Sequence, residues 1–239
     1  MIPTPEQLFE ASDQTWPAAE QIVSGPWTLR DGQGGGKRVS AATANAPVKD
    51  TDITMAETAM RDLGQTPLFM VRAGEDELDG LLAQRGYEVI DPVTLYVLPI
   101  EKLTDTPIPR VTAFAVWEPL AMMAEIWSEG GIGPARLAVM ARAKIKTGIF
   151  SRWNEKPGGV AFAAVHDDIC MVHAVEVRPD QRRQGVAVWM MRKAAFWGRD
   201  HGARHLAVLC VAQNQGANAL YRALGFRPAG RYHYRQHPA

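Results

Sequence analysis

Cysteine is scarce in this sequence: its 239 residues include two, Cys170 and Cys210. They have no C-x-x-C spacing and both stand in strongly apolar, β-like segments, so we expect two buried thiols in a reducing compartment and no disulfide framework. The histidines show no metal-ligand spacing either. His201 and His205 are four residues apart, but Gly202 breaks the helix between them. The sequence therefore predicts no bound metal.

A net charge is also lacking, because 26 Lys and Arg side chains balance 26 Asp and Glu side chains. No global positive field is available to attract nucleic acid or an anionic membrane. No apolar run reaches the length of a bilayer-spanning helix, and residues 1–6 lack the pattern of a signal peptide. We expect a cytoplasmic protein without nucleic acid or membrane partners; a homodimer is compatible with the sequence.

Helical and strand patterns alternate along the chain and predict an α/β (α+β) fold, with a mixed sheet flanked by helices. The first half is predicted to contain helices at 5–11 and 16–23, then a hairpin of strands 27–30 and 37–42. A helix at 52–63 and a strand–helix–strand unit ending at 98 follow. The glycine-rich turn of the hairpin precedes a strand and no Lys-Ser/Thr pair, so it is not a Walker motif.

The second half shows clearer patterns. Residues 104–110 are rich in proline and polar side chains and are the predicted linker, which divides the chain into domains 1–103 and 111–239. The elements predicted beyond the linker are helices 117–127 and 134–145, strands 146–152, 159–166 and 168–177, helix 185–201, strand 205–211, helix 216–224 and strand 231–235.

The two halves end alike. Residues 79–87 (DGLLAQRGY) match residues 218–226 (NALYRALGF) in register, as a short helix, a glycine and an aromatic residue. Each segment is preceded and followed by a predicted strand. One interpretation is a duplicated fold; the other is that this is simply a common way to leave a helix.

The most informative stretch is the loop between strand 168–177 and helix 185–201. The first N–H groups of a helix have no partner within it, and the helix dipole places partial positive charge there. Gly185 allows a phosphate close to the main chain, and Arg182 and Arg183 add charge. This pattern predicts a pyrophosphate site, with a merely solvated basic turn as the alternative.

A second motif makes the interpretation specific. Arg182, Gly185 and Ala187 fit the R/Q-x-x-G-x-G/A signature, and 214–226 fits Asn-x-x-Ala-x-x-Leu-Tyr followed by Leu-Gly-Phe. Over about 111–235 the chain thereby resembles the Gcn5-related N-acetyltransferase (GNAT) family. The resemblance implies an enzyme of the GNAT fold that transfers the acetyl group of acetyl-CoA, its co-substrate, to a primary amine of a small molecule or peptide by direct attack.

The resemblance also implies residue roles. Tyr221 would protonate the departing thiolate, since a tyrosine holds its proton at neutral pH. The family's glutamate base falls at Met171, which cannot act; His173, on the same strand face by alternation, is the first substitute, and Glu176, on the opposite face, is the weaker candidate. A main-chain N–H near Val175 would stabilise the oxyanion. The residues expected to bind the coenzyme are Val175, Val177, Arg182, Arg183, Gln184, Gly185, Val186, Ala187, Val188, Asn214 and Ala217.

The first half carries no matching phosphate loop, and Leu82 stands at the position of Tyr221. We therefore expect two GNAT-like halves in tandem, the first a degenerate copy that binds no coenzyme. Aromatic residues expected to wall the acceptor site are Trp117, Trp127, Phe150 and Trp153. Two other functions stay open: a non-catalytic acyl-CoA-binding sensor module, and a transferase for a longer acyl or aminoacyl group.

Overall fold

The structure is a computed structural model that describes residues 2–238. Its helices, in chain order, are α1 Pro5–Thr15, α2 Asp50–Asp62, α3 Asp76–Gln84, α4 Ala121–Glu129, α5 Pro134–Arg142, α6 Val186–Asp200 and α7 Gln215–Ala223. Its strands are β1 Glu20–Ser24, β2 Trp27–Asp31, β3 Thr43–Ala44, β4 Leu68–Arg72, β5 Glu88–Pro99, β6 Ala113–Val116, β7 Ile145–Trp153, β8 Lys156–His166, β9 Ile169–Val177, β10 His205–Val211 and β11 Arg227–Gln236. The predicted mixed α/β architecture is confirmed.

The chain forms two compact units. The larger one contains the chain through Pro17, Leu95–Cys210 and Asn214–Ala229. Its strands follow the order β11-β5-β10-β9-β8-β7-β6. Strands β6 to β9 pair antiparallel, whereas β10 runs parallel to β9, so the sheet is mixed. Among residues 2–238, no helix has both the length and the apolar character needed to cross a bilayer.

Helix α6 is the main helix on one face of this sheet. Its buried residues recur at spacings of three and four, which places them on one face of the helix. They are Val186, Met190, Met191, Ala194, Ala195 and Gly198. Gly198 is the closest approach: a Cβ there would lie 2.7 Å from Cβ of Cys170 on β9. The lack of a side chain at Gly198 therefore allows α6 to pack closely against β9 at this point.

Replacing Gly198 by alanine should destabilise the protein by about 2 kcal/mol, because overpacking against Cys170 outweighs the gain in helix propensity. Gly80 in α3 is the matched control, since it is exposed and no described atom lies within 4 Å of its would-be Cβ. Gly80→Ala should stabilise by about 0.5–1 kcal/mol. Urea unfolding followed by circular dichroism measures both; equal effects would show that α6 does not pack this tightly.

The smaller unit contains Ala18–Thr94, Val211–Gln213 and the chain from Gly230. It has an antiparallel sheet in the order β1-β2-β3 and a second set of strands in the order β4-β11-β5. Its core is built from residues of both sets and of helices α2 and α3: Trp27, Leu29, Ala42, Ile53, Ala56, Met60, Phe69, Val71, Leu78, Leu82 and Tyr87.

The units do not follow the predicted segments 1–103 and 111–239. Helix α1 and residues 95–99 of β5 belong to the larger unit, and the end of β11 belongs to the smaller one. Segment 104–110 contains no helix or strand, but it lies within the larger unit and does not join the two units. That the first half is a degenerate copy without coenzyme stays a prediction.

The predicted similarity of the two helix–glycine–aromatic segments extends to their geometry. Helices α3 and α7 each have nine residues. The glycines that follow, Gly86 and Gly225, have φ values of 83° and 89°. The N–H of Tyr87 donates to the carbonyl of Leu82 at 3.0 Å, and Phe226 donates to Tyr221 in the same way at 3.0 Å. Leu82 thus occupies the place that Tyr221 has in the larger unit.

Some local predictions were wrong. Residues 16–23, predicted as a helix, contain the start of β1, which pairs with β2. Residues 37–42, predicted as a strand, contain the 3₁₀ helix Lys37–Val39, and the strand begins later at Thr43. The guanidinium of Arg30 donates to the carbonyl of Ala41 at 2.9 Å, a buried contact in place of a ladder bond. Helix α4 begins at Ala121 and not at Trp117, and β6 was not predicted.

Candidate functional site

The loop before α6 has the backbone geometry of an anion site. Arg183 has a φ of 63°, and Gly185, the N-cap of α6, has a φ of 82°. Left-handed residues beside a helix start turn successive N–H groups into one concave surface, where the helix dipole adds positive charge. Gly185 is exposed, and no described atom lies within 4 Å of its would-be Cβ. The loop can therefore receive a phosphate at the main chain.

The side chains around this loop complete its charge. Arg182 and Arg183 are exposed, while Gln184 and Val186 are more deeply placed. The Nε of Arg182 donates to the carbonyl of Val177 at 3.2 Å, which ties the loop to the end of β9. The N–H groups of Val186, Ala187 and Val188 are the first of the helix, where no preceding turn provides a carbonyl.

Strands β9 and β10 diverge beside the loop. Their parallel pairing runs from Ile169 and His205 to Val172 and Val208 and ends there, although both strands continue. Beyond this point β9 stays paired with β8 as far as Val177. The main chain of Val175 and Val177 therefore borders a widening gap on the β10 side, where an extended arm of a ligand could add like a strand.

A β-bulge produces the divergence. Val160 and Phe162 on β8 pair with Glu176 and His173 on β9. The two pairs are two residues apart on β8 but three residues apart on β9, so β9 contains one extra residue. Ala174, the extra residue, has a φ of 50°. Its carbonyl accepts a hydrogen bond from Nε1 of the fully buried Trp127 at 2.8 Å. Helix α4 thus holds the bulge in place, and a bulge re-aims the residues that follow it.

The bulge corrects the predicted faces of β9. Strict alternation placed Glu176 on the face opposite His173, but the extra residue reverses the alternation after Ala174. Val175 and Val177 pack with the core beneath α6. Glu176 therefore lies on the same face as His173. Simple alternation could not show this, because nothing in the sequence marks Ala174 as a bulge.

Glu176 is held in a confined position on that face. A Cβ at Gly130, the C-cap of α4, would lie 2.6 Å from its Cδ, so the glycine makes room for the carboxyl group. Burial raises the pKa of the Glu176 carboxyl above its usual range, while Arg182 and Arg136 act in the opposite direction. A carboxylate with a raised pKa beside a gap in the sheet has the character of a general base.

His173, the first predicted base, is a buried fixture of the larger unit. It is 4% exposed. The hydroxyl of Thr15 donates to the carbonyl of Ala11 at 2.6 Å, so its oxygen accepts from Nε2 of His173 at 2.9 Å. The ring also lies 5.2 Å from the ring of Trp16. Helix α1 therefore covers His173 and occupies its Nε2. Met171 is fully buried.

Tyr221 lies in the core of the larger unit, on α7. It is 5% exposed, and its ring centroid lies 5.7 Å from that of Phe226 and 6.1 Å from that of Tyr96. Burial raises the pKa of the Tyr221 hydroxyl, and Cys210 adds to the rise. Burial also raises the pKa of the Cys210 thiol to about 11. Both groups hold their protons at neutral pH, and both cysteines are free and buried, as predicted.

The larger unit brings the two sequence motifs together. Tyr221 and Val186 belong to one core cluster, against which Val175, Val177, Ala187 and Ala217 pack. Asn214 is the exposed N-cap of α7, and its Oδ1 accepts from the N–H of Ala217 at 3.0 Å. The phosphate loop, the divergent strands and the tyrosine are thus parts of one region.

The predicted acceptor-wall residues have different environments. Trp127 and Phe150 are buried, and Trp153 packs on the core cluster. Trp117 is 36% exposed, lies 5.8 Å from the Phe162 ring and has the ammonium of Lys146 5.1 Å from its centroid. Trp117 is therefore the most exposed member of this set. Within residues 2–238, no group of three His, Cys, Asp or Glu side chains is arranged to hold a metal ion.

Comparison with known proteins agrees with this geometry. Residues 123–226 match the sequence profile described as the acetyltransferase (GNAT) family. A curated relative from Bacillus subtilis (strain 168), the "Uncharacterized N-acetyltransferase YobR", is 26% identical over an alignment of 241 positions that covers 96% of each chain.

Solved structures share the fold along nearly the whole chain. A GCN5-related N-acetyltransferase from Kribbella flavida superposes with a TM-score of 0.73 at 19% identity, covering 97% of this chain and 95% of that one. A tandem GNAT protein from the clavulanic acid biosynthesis pathway gives a TM-score of 0.62 at 13% identity, covering 96% and 86%. The chain therefore carries an acyltransferase domain of the GNAT family at residues 123–226 and has the GNAT fold.

Proposed function

We propose that this protein transfers the acetyl group of acetyl-CoA to a primary amine of a small molecule or peptide. The observation that carries the proposal is the left-handed loop at Arg183 and Gly185, which opens α6 beside the divergence of β9 and β10. An anion site next to an unpaired strand edge fits a ligand with a pyrophosphate at one end and an amide-containing arm at the other.

The coenzyme would lie along features already described. Main-chain N–H groups from Arg183 to Val188 would hold the pyrophosphate, and Arg182 would add charge at the rim. The edge of β9 at Val175 would receive the arm, whose end would then lie between β9 and the start of α7. Acetyl-CoA supplies a thioester, which is reactive toward a neutral amine.

Acetyl transfer to an amine requires two proton transfers that protein side chains would carry out. An amine that attacks must first lose a proton, and Glu176, whose carboxyl group lies on the same face of β9 as His173, would take it. A departing sulfur gains a proton, and Tyr221 keeps one available because burial raises its pKa. His173 has a different part in this proposal: it joins α1 to the sheet through Thr15.

Replacing Gly185 by valine tests the coenzyme site. A side chain at a φ of 82° strains the loop and projects toward the proposed phosphates, so the Kd for acetyl-CoA should rise about 100-fold, as expected for the loss of one or two hydrogen bonds to a charged group. Isothermal titration calorimetry with acetyl-CoA measures the change.

Gly202 provides the matched control at the other end of α6. It has a φ of 90° and equally open space around its would-be Cβ, so Gly202→Val carries a similar backbone strain. Gly202→Val should leave the Kd for acetyl-CoA within about twofold of the wild-type value, because residue 202 is remote from the start of α6, where the helix dipole is positive. A parallel loss of binding in both variants would show that strain, and not phosphate contact, is responsible, and wild-type protein that does not bind would refute the proposal.

The acceptor is best found by a screen for release of the coenzyme thiol from acetyl-CoA. Amines, amino acids, polyamines, aminoglycosides and peptides are the classes to test. Exposure of Trp117 beside Lys146 favours an amine that carries an apolar or aromatic body. Turnover with none of these classes, despite tight coenzyme binding, would favour the sensor function.

A further inference from the structure

The start of α7 is anchored by a residue from a distant part of the sequence. Tyr96, on β5, is 1% exposed and belongs to the larger unit. Its hydroxyl donates to Oδ1 of Asn218 at 2.9 Å. Asn218 is itself 6% exposed, so this hydrogen bond is buried at both ends. Neither residue carries a role in the chemistry described above.

Asn218 passes this anchor on to the N-cap of the helix. Its Nδ2 donates to the carbonyl of Asn214 at 2.8 Å, and its main-chain N–H donates to the same oxygen at 3.0 Å. Asn214 in turn caps α7 by accepting from Ala217. A continuous chain of hydrogen bonds thus runs from Tyr96 through Asn218 to Asn214.

The hydrogen bond from Tyr96 helps to orient the Asn218 amide. With Tyr96 present, the oxygen of the amide has its donor and the nitrogen is directed at Asn214. Without the hydroxyl, the oxygen would be buried without that donor, an arrangement that is costly to maintain. Turning the amide to relieve this would break the bond to Asn214, so the loss would reach the helix start.

The same helix holds Tyr221, one turn beyond Asn218. Residues three apart on a helix lie on one face. The ring of Tyr96 also faces that of Tyr221, with centroids 6.1 Å apart. A single side chain on β5 therefore contacts both the anchor of the helix and its proposed catalytic tyrosine.

The equivalent position in the smaller unit is anchored by other means. Asp79 on α3 accepts from Nε and Nη2 of Arg235 and from His233. The bond to Arg235 is the main reason that the pKa of the Asp79 carboxyl lies below its usual range. The residue four positions earlier, Glu75, accepts from the N–H of Arg72. Among the described residues, a chain of uncharged hydrogen-bonding side chains that leads from a tyrosine to a helix cap occurs at this position in the larger unit and not in the smaller one.

We propose that Tyr96 is a positioning residue for acetyl transfer, which sets the start of α7 through Asn218 and thereby places Asn214 and Tyr221. The inference rests on the proposed function. It assigns a part of the active site to a strand that lies in the first half of the sequence, before the segment that matches the family profile.

The test compares Tyr96→Phe with Tyr87→Phe. Tyr87 is the matched control, because its buried hydroxyl also donates one hydrogen bond, to Glu57 at 2.9 Å, but within the smaller unit. Both variants should lower Tm by a few degrees, as the loss of one buried hydrogen bond does. Only Tyr96→Phe should raise the KM for acetyl-CoA about fivefold and lower kcat about tenfold. The resulting loss of about 50-fold in kcat/KM corresponds to about 2.3 kcal/mol of transition-state stabilisation.

Two further measurements separate positioning from stability. Hydrogen exchange at the amides of Ala217 and Asn218 should become about tenfold faster in Tyr96→Phe and stay unchanged in Tyr87→Phe. Asn218→Leu should lower kcat to a similar extent, and the double variant Tyr96→Phe/Asn218→Leu should lose no more than either single one, because the two residues act as one chain.

The outcomes distinguish the inference from the function on which it rests. Wild-type protein that fails to bind acetyl-CoA overturns the proposed function. Wild-type protein that binds and turns over, with kinetic constants and exchange rates in Tyr96→Phe that match those of Tyr87→Phe, overturns the role of Tyr96 alone. Additive losses in the double variant also overturn it.

Discussion

Tyr221→Phe should lower kcat about 10³-fold while the Kd for acetyl-CoA changes less than about twofold, since a general acid contributes to the reaction and little to binding. The change removes one hydroxyl and leaves the ring, so packing against Phe226 and Tyr96 is retained. Steady-state kinetics with the acceptor found by the screen gives kcat, and calorimetry gives the Kd.

This variant also separates an enzyme from a sensor. A sensor module needs the phosphate loop but no proton donor, so its response to acetyl-CoA would be the same with phenylalanine at residue 221. Tyr232→Phe is a suitable control, because Tyr232 is likewise buried but lies in the smaller unit. A loss of kcat that is equal in the two variants would point to a general loss of stability and away from proton transfer.

Glu176→Gln should lower kcat/KM about 10²-fold at neutral pH, the lower end of what a general base contributes. Glutamine keeps the shape that fits against Gly130 but cannot accept a proton. In the wild-type enzyme, activity should rise as the pH passes upward through the raised pKa of the Glu176 carboxyl, because only the carboxylate is a base. The variant should lack this rise.

The pH profile gives the sharper readout. At high pH the amine is neutral without help, so the difference between Glu176→Gln and wild type should narrow as the pH approaches the amine's own pKa. Glu129→Gln is the matched control: Glu129 is exposed, pairs with Arg178 at 3.7 Å and lies at the end of α4. A difference that stays constant across the pH range would argue against a base at residue 176.

The two motifs of the second half could be predicted from sequence because they depend on local rules. A glycine with positive φ before a helix and an asparagine that caps the next helix can each be recognised from a few consecutive residues. The predicted bounds of the helices and the strand within 185–226 accordingly lie close to the observed bounds. The same holds for the glycine–aromatic exits of α3 and α7.

What could not be predicted depends on contacts between residues far apart in sequence. The face of Glu176 is set by a bulge that Trp127 holds from 47 residues away. Helix α1, from the start of the chain, covers His173, and the pattern of β9 alone does not indicate this contact. Tyr96 reaches Asn218 across 122 positions. Periodicity describes how one segment faces a core, and it contains no information about which distant segment meets it.

Strands β5 and β11 each contribute residues to both units, and this division has a consequence for the chain as a whole. Cutting the polypeptide at 104–110 would separate residues 95–99 from the sheet of the larger unit and residues 230–236 from that of the smaller one. Each fragment would expose an unsatisfied strand edge next to apolar side chains, a surface prone to aggregation. We therefore expect the half that carries the sequence motifs to fold poorly when it is expressed alone, even though these motifs lie in one continuous stretch.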